Sequence, residues 1–132
     1  MRGQVISYVW RGSGSAIFLE LGALRKNSNG KAQAGEITVS IEWSWRIENR
    51  NSIILGSWSE PDEINKVIDI LKGHRIKKVS FFARLKELEI ELENDIWLSS
   101  FATVEGDPEW SIKRNNRWLF FKKGRFVSEE NT

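Results

Sequence analysis

Apolar and polar residues alternate through residues 35–48. Ile37, Val39, Ile41, Trp43, Trp45 and Ile47 take every second position, and Glu36, Thr38, Ser40, Glu42, Ser44, Arg46 and Glu48 fill the gaps. Successive side chains of a β-strand point to opposite faces, so the pattern predicts one long strand with an apolar and a polar face. The apolar face, with Trp43 and Trp45 as its largest fillers, is the expected spine of the core. Asn49, Arg50 and Asn51 then predict a turn, and residues 52–58 a returning hairpin partner.

Upstream, residues 3–10 and 16–21 read as two strands joined by the turn signal Arg11-Gly12-Ser13-Gly14-Ser15. Residues 25–34 are polar without period and read as an exposed loop. Ile64, Val67, Ile68 and Leu71 stand at i, i+3, i+4 and i+7, which predicts one helix near residues 60–72. Ser59 is its expected N-cap, with Pro61 and Asp62 in the first turn and Gly73 as the stop. Strands follow at residues 75–82, 86–93, 96–103, 110–113, 117–123 and 125–127. Asn94-Asp95 and Gly106-Asp107-Pro108 are turn signals. Residues 128–132 read as a frayed, disordered tail.

Spacings repeat along the chain. Gly3, Ile6 and Val9 match Gly73, Ile76 and Val79, and the alternation at residues 18–21 matches that at 88–92. A Trp-bearing strand follows in each half, residues 37–47 and then 96–101 with Trp110, and a closing strand after that, residues 52–58 and then 117–123. The expected fold is therefore α+β and mostly β. It has eight to ten short antiparallel strands in two similar halves, about 1–58 and 73–127, related by a pseudo-twofold in one sheet or a half-barrel. The helix lies between the halves, and residues 1–127 make a single domain.

The chain has 132 residues, 40% apolar and 29% charged, with seven Trp and no Cys. Such a chain can bury roughly two thirds of its unfolded surface without metal or disulfide. Lack of Cys removes disulfides, thiolate nucleophiles and Cys-based zinc sites, and fits a reducing compartment. No segment approaches the ~20 apolar residues of a membrane span, and a cytoplasmic protein without membrane contact is expected. Net charge is +2, a weak pointer to nucleic acid.

Candidate chemistry is sparse. Glu36, Glu42 and Glu48 share the polar face but stand roughly 20 Å apart at successive steps, too far to converge on one atom. Glu87, Glu89, Glu91 and Glu93 are closer, but their expected role is pairing with Lys or Arg on a neighbour and blunting an edge. His74 is the only histidine and gives no zinc triad. The glycines at 12 and 14 precede a strand rather than a helix, which disfavours a phosphate loop. Residues 110–126 hold Lys113, Arg114, Arg117, Lys122, Lys123 and Arg125 with Trp118, Phe120 and Phe121 interleaved and no acid after Trp110. Basic aromatic strands of this kind pair with acidic neighbours, form protein interfaces, or stack single-stranded nucleic acid. Arg114, Arg117, Trp118, Lys122 and Arg125 are the candidate partner-binding residues. No catalytic, cofactor or metal residue is expected.

Leu71-Lys72-Gly73 with Ile76, Glu87-Leu88 with Ile90, Leu92-Glu93-Asn94, Ser100-Phe101, the run from Glu105 to Trp110 and Gly124 together resemble a family of small bacterial β-rich proteins. In the first half, the runs from Gly14 to Glu20 and from Glu42 to Arg46 belong to the same set. The resembled family has no assigned catalytic residues. Proteins of this look occur among presumed immunity or accessory proteins of toxin systems, which implies protein binding. Inhibitors of nuclease toxins are often acidic and this chain is slightly basic, so the expectation extends to a non-nuclease target or to no toxin at all. The expected function is a non-enzymatic, immunity-like or accessory protein-binding domain that needs no cofactor. The alternatives are single-stranded nucleic-acid binding through residues 110–126 and small-ligand binding in a Trp-lined cavity. Oligomeric state is open at this level.

Overall fold

A computed structural model describes residues 1–26, 33–104 and 108–130. Its strands are β1 (Ile6–Arg11), β2 (Ile17–Leu21), β3 (Arg25–Lys26), β4 (Gln33–Ala34), β5 (Ile37–Ile41), β6 (Trp45–Glu48) and β7 (Ile53–Gly56). After α1 (Pro61–Val67) and a 3-10 turn (Ile68–Leu71) come β8 (Ile76–Phe82), β9 (Glu87–Leu92), β10 (Trp97–Ser100), β11 (Trp110–Arg114), β12 (Arg117–Lys122) and β13 (Arg125–Glu130). Two antiparallel sheets result, in the orders β1-β2-β5-β11-β12-β13 and β7-β6-β10-β9-β8, and β3 pairs with β4 alone. The strands form two sheets, which corrects the expectation of a single sheet, and neither sheet closes into a barrel. Eleven strands in the two sheets also exceed the expected eight to ten.

The long alternating stretch is cut in two. β5 lies in the six-stranded sheet and β6 in the five-stranded one, and residues 42–44 carry the chain between them. The alternation survives the crossing, so nothing in the pattern marks it. Trp45 is fully buried, whereas Trp43 sits in the crossing segment and is 56% exposed. Trp43 is therefore not a core filler. It has no ladder partner, and the residues on either side, Ile41 and Trp45, already serve two different sheets.

The repeat is expressed as an interleaving. In each half a three-strand meander (β1-β2-β5, then β8-β9-β10) leads into strands that cross over and extend the other half's meander (β6-β7, then β11-β12-β13). Hydrogen bonds across the junction are reciprocal. The N–H of Gly3 donates to the Ile76 carbonyl and that of Gly73 to the Ile6 carbonyl, while Ile6 donates to His74 and Ile76 to Gln4. Gly3 and Gly73 both take positive φ, 85° and 88°, which only glycine adopts without steric cost. β1 and β8 each shift register one residue after their matched isoleucines, Ile6 and Ile76. Where the chain changes sheet, Glu42 N–H donates to Glu109 and Phe101 N–H to Ser44.

Trp45 and Trp110 are the matched anchors of the core. Trp45 pairs with Ser100 at the end of β10, and Trp110 pairs with Ile41 at the end of β5. Both indoles are essentially buried, and each N–H donates to a backbone carbonyl, Trp45 to Ser15 and Trp110 to Lys86. Ile17, Val39, Ile47, Leu55, Leu88, Ile90 and Leu98 join them in one cluster drawn from both sheets, with Ile64, Ile68 and Leu71 from the helical segment.

Local details depart from expectation in two places. Ser59 does not cap α1: its hydroxyl accepts the Gly56 N–H, and Glu60 occupies the cap without a side-chain bond, with Pro61 starting the helix. β13 runs to Glu130 because its register with β12 continues to the Arg117–Glu130 pair, so residues 128–130 are strand rather than tail. Of the expected loop at 25–34, the ends pair as β3 and β4, and the centre lies outside the described residues, as does most of the expected turn at 106–108.

Replacing Trp45 or Trp110 with Ala is expected to cost about 3–5 kcal/mol, the range for large buried aromatics. Trp43→Ala should cost under about 1 kcal/mol, as for surface positions. Denaturant unfolding of the three variants checks this, and comparable losses at 43 and 45 would reject the crossing.

Candidate binding face

Paired residues of an antiparallel sheet share a face, so register alone maps the outer side of the six-stranded sheet. One row runs Trp10, Phe18, Ser40, Ser111, Phe120, Val127. The next runs Tyr8, Glu20, Thr38, Lys113, Trp118, Glu129. Small residues occupy the middle of the first row and aromatics flank them. Three strand spacings separate β2 from β12, so the Phe18 and Phe120 backbones stand roughly 14 Å apart. The result is a groove of about 700 Å3, with Phe18 on one side, Trp118 and Phe120 on the other, and Ser40 and Ser111 in the floor.

The floor and one wall are tightly specified. The Ser40 and Ser111 hydroxyls lie 2.6 Å apart and satisfy one another. Phe18 stacks on Trp10 with centroids 3.9 Å apart and planes 8° from parallel. The Trp10 indole N–H donates to Glu20 at 2.8 Å, and Glu20 also receives Gly35 N–H and the Thr38 hydroxyl, so this buried carboxylate is fully hydrogen-bonded. A Cβ at Gly12 would stand 2.6 Å from the Phe18 ring, so the glycine leaves room for that wall. Across the groove the Lys113 ammonium lies over the Trp118 ring, 5.0 Å from its centroid.

Of the residues expected to bind a partner, Trp118, Lys122 and Arg125 line this groove. Arg114 and Arg117 do not. They pair with each other at the hairpin end, in register with Ile37 on the opposite face, and Arg117 faces Glu130 at 3.9 Å. Phe121 also faces away, packing edge-on to Phe126 at 5.2 Å. Alternation thus splits residues 110–126 between two faces, and they form no single basic platform. Nor do they pair with the glutamate-rich strand. β9 lies in the other sheet between β10 and β8, so it is no edge. There Glu91 meets Lys77 at 3.4 Å, Glu87 accepts from Ser100 and Ala102, and Glu89 accepts from Ser99.

The interleaved repeat supplies an internal control. Matched by register, Phe18, Ser40, Ser111 and Phe120 correspond to Glu89, Ser99, Arg46 and Gly56 on the five-stranded sheet. Apolar core positions are kept between the halves, but of these four outer positions only the serine at 40 is, as Ser99. One outer face gathers its aromatics around the serine floor, and the other carries Glu48, Glu89 and Glu91 with Arg46 and Lys78, with Trp97 and Phe82 set among these charges.

Other candidate chemistry is structural. Glu36 takes a hydrogen bond from Gln4, Glu48 pairs with Arg46 on the other sheet, and Glu42 reaches the groove rim. His74 lies 3.4 Å from the Asn94 amide. Residues 12–15 form a hairpin turn, closed by Gly12 N–H to the Ala16 carbonyl and Arg11 to the Gly14 carbonyl. The groove's wall and floor residues Trp10, Phe18, Ser40 and Ser111 escaped sequence reasoning. Only Glu20, a lone acid within an apolar strand, carried a signal. Among the described residues no three His, Cys, Asp or Glu side chains group as metal ligands, and no helix is long and apolar enough to cross a membrane.

The chain matches no family model, no curated protein and no solved structure.

Glu109, at the crossing, is a nearly buried acid whose Oε1 accepts the Ser44 N–H at 2.8 Å. Burial pushes its carboxyl above the ordinary value of 4.5. The Ser44 N–H opposes that rise, and the nearby Glu87 and Glu42 add to it. A folded-state value above the unfolded one means that this group's stabilisation is fully present below about pH 4.5 and is lost as pH rises through the raised value. Relative to Glu109→Gln, the native protein should therefore gain stability as pH falls from 7 toward 4.5. Unfolding curves that run parallel over this range would contradict it.

Proposed function

We propose that the protein is a non-enzymatic binding protein and that the outer face of the six-stranded sheet receives a protein partner. The observation that carries this reading is the aromatic groove itself: Trp118 and Phe120 face Phe18 over a serine floor, and the Phe18 and Phe120 positions are Glu89 and Gly56 in the repeat. Aromatic residues at the centre with charged groups around them are the usual make-up of a protein-recognition patch.

The rim charges favour a protein over nucleic acid. Lys122, Lys123 and Arg125 are interspersed with Glu42 and Glu129. A surface that tracks phosphates needs one sign of charge along its length. Arg114 and Arg117, which would have extended such a track, lie on the other face. The mixed rim suits a partner that places an apolar side chain between the aromatic walls and both signs of charge around it. Under the resemblance to immunity-like proteins, that partner is a toxin domain or another component of the same system.

Capture of partners from nuclease-treated lysate tests the reading. Trp118→Ala and Phe120→Ala should each weaken capture by about 2 kcal/mol, some thirty-fold, as at an interface hot spot. Trp97→Ala, on the outer face of the other sheet, should leave it unchanged. Equal effects of Trp97 and Trp118, or salt-sensitive oligonucleotide binding lost with Trp118, would overturn the proposal.

A further inference from the structure

The two sheets end in four edge strands, and three of them are covered or blunted. The 3-10 turn packs on β1, and α1 packs beside β7. β8 is interrupted by a register shift after Ile76 and carries Lys77 and Lys78. Bulges, prolines and charged side chains, lysine above all, are devices by which proteins keep an exposed edge from pairing. β13 carries charges, at Arg125, Glu129 and Glu130, but has no bulge. Its register with β12 is unbroken from Arg125 to Glu130, it contains no Lys and no Pro, and among the described residues nothing pairs with its other side.

The order of charges along this edge is self-complementary. Arg125, Val127 and Glu129 share the outer face, since they pair with Lys122, Phe120 and Trp118. Two antiparallel copies of one edge strand are related by a twofold axis perpendicular to the sheet, which keeps outer face with outer face. Centring that axis on Val127 sets the two valines opposite each other. It also sets each Arg125 opposite Glu129 of the second copy. The adjoining register, centred on Ser128, would instead set Val127 against glutamate. Among the described residues neither Arg125 nor Glu129 has an ion-pair partner within its own chain.

We propose that β13 is a homodimer interface: two copies join edge to edge through β13, centred on Val127, with two reciprocal Arg125–Glu129 ion pairs, extending the six-stranded sheet across both chains. The groove reaches the edge at Val127 and Glu129, so the second copy's strand continues its rim, and the two grooves face the same side of one continuous sheet. A pairing of two short strands buries little surface, so the dimer is weak and concentration-dependent. The proposal does not depend on what occupies the groove.

Sedimentation velocity from micromolar to millimolar concentration tests it, with circular dichroism confirming that each variant is folded. The native chain should dimerise within this range. Arg125→Glu and Glu129→Arg, which each set like charges opposite one another, should weaken dimerisation at least tenfold. The double variant should restore it, and an equimolar mixture of the two single variants should associate as heterodimers. A native chain that stays monomeric to millimolar concentration, single variants that dimerise as well as the native chain, or a mixture that fails to associate would overturn the proposal.

Discussion

Two backbone hydrogen bonds, Glu42 to Glu109 and Phe101 to Ser44, hold the place where both halves of the chain change sheet. Everything else depends on that crossing. Because each half gives its later strands to the other half's sheet, neither meander completes a sheet by itself. The two buried indoles sit at the start of those later strands and close over the core from opposite sides. Their N–H groups reach matched carbonyls, at Ser15 and Lys86, so two large side chains are buried without leaving a donor unpaired. Glu109 shows the cost of the arrangement. Its carboxylate is drawn into the junction to accept the Ser44 N–H, and desolvation raises its pKa.

Interleaving separates what the core requires from what the surface can vary. Inward positions must stay apolar in both halves, and they do: Leu19 answers to Ile90, and Val39 to Leu98. Outward positions are under no such constraint. On one sheet they became glutamates tied to serines and a lysine. On the other they became an aromatic groove braced by the Trp10–Phe18 stack, by Glu20 beneath it, and by a glycine at 12 that leaves the ring its space. Investment in positioning an exposed aromatic wall, on the face that core packing does not need, is the physical basis for the proposal of recognition there.

Much of this was readable in the residues, and the failures share a cause. The helix face at Ile64, Ile68 and Leu71, the hairpin turns and the matched spacing of Gly3, Ile6 and Gly73, Ile76 are local patterns, and the structure keeps them. Period two says which residues share a face but not which strand lies alongside. Hence Trp43 and Trp45 looked alike, though only one is buried. Arg114 and Arg125 looked like members of one patch, though they lie on opposite faces. The basic segment and the glutamate-rich strand looked like partners, though they occupy different sheets. Ser40 and Ser111 carry no signal at all until register sets them side by side.

The central claim is that each half completes the other's sheet, and separating the halves tests it most directly. Residues 1–72 and 73–132, made as two polypeptides, should each lack a cooperative unfolding transition by circular dichroism. Mixed at equal concentration, they should regain the β spectrum and one transition. A cooperative transition from either piece alone would contradict the interleaving.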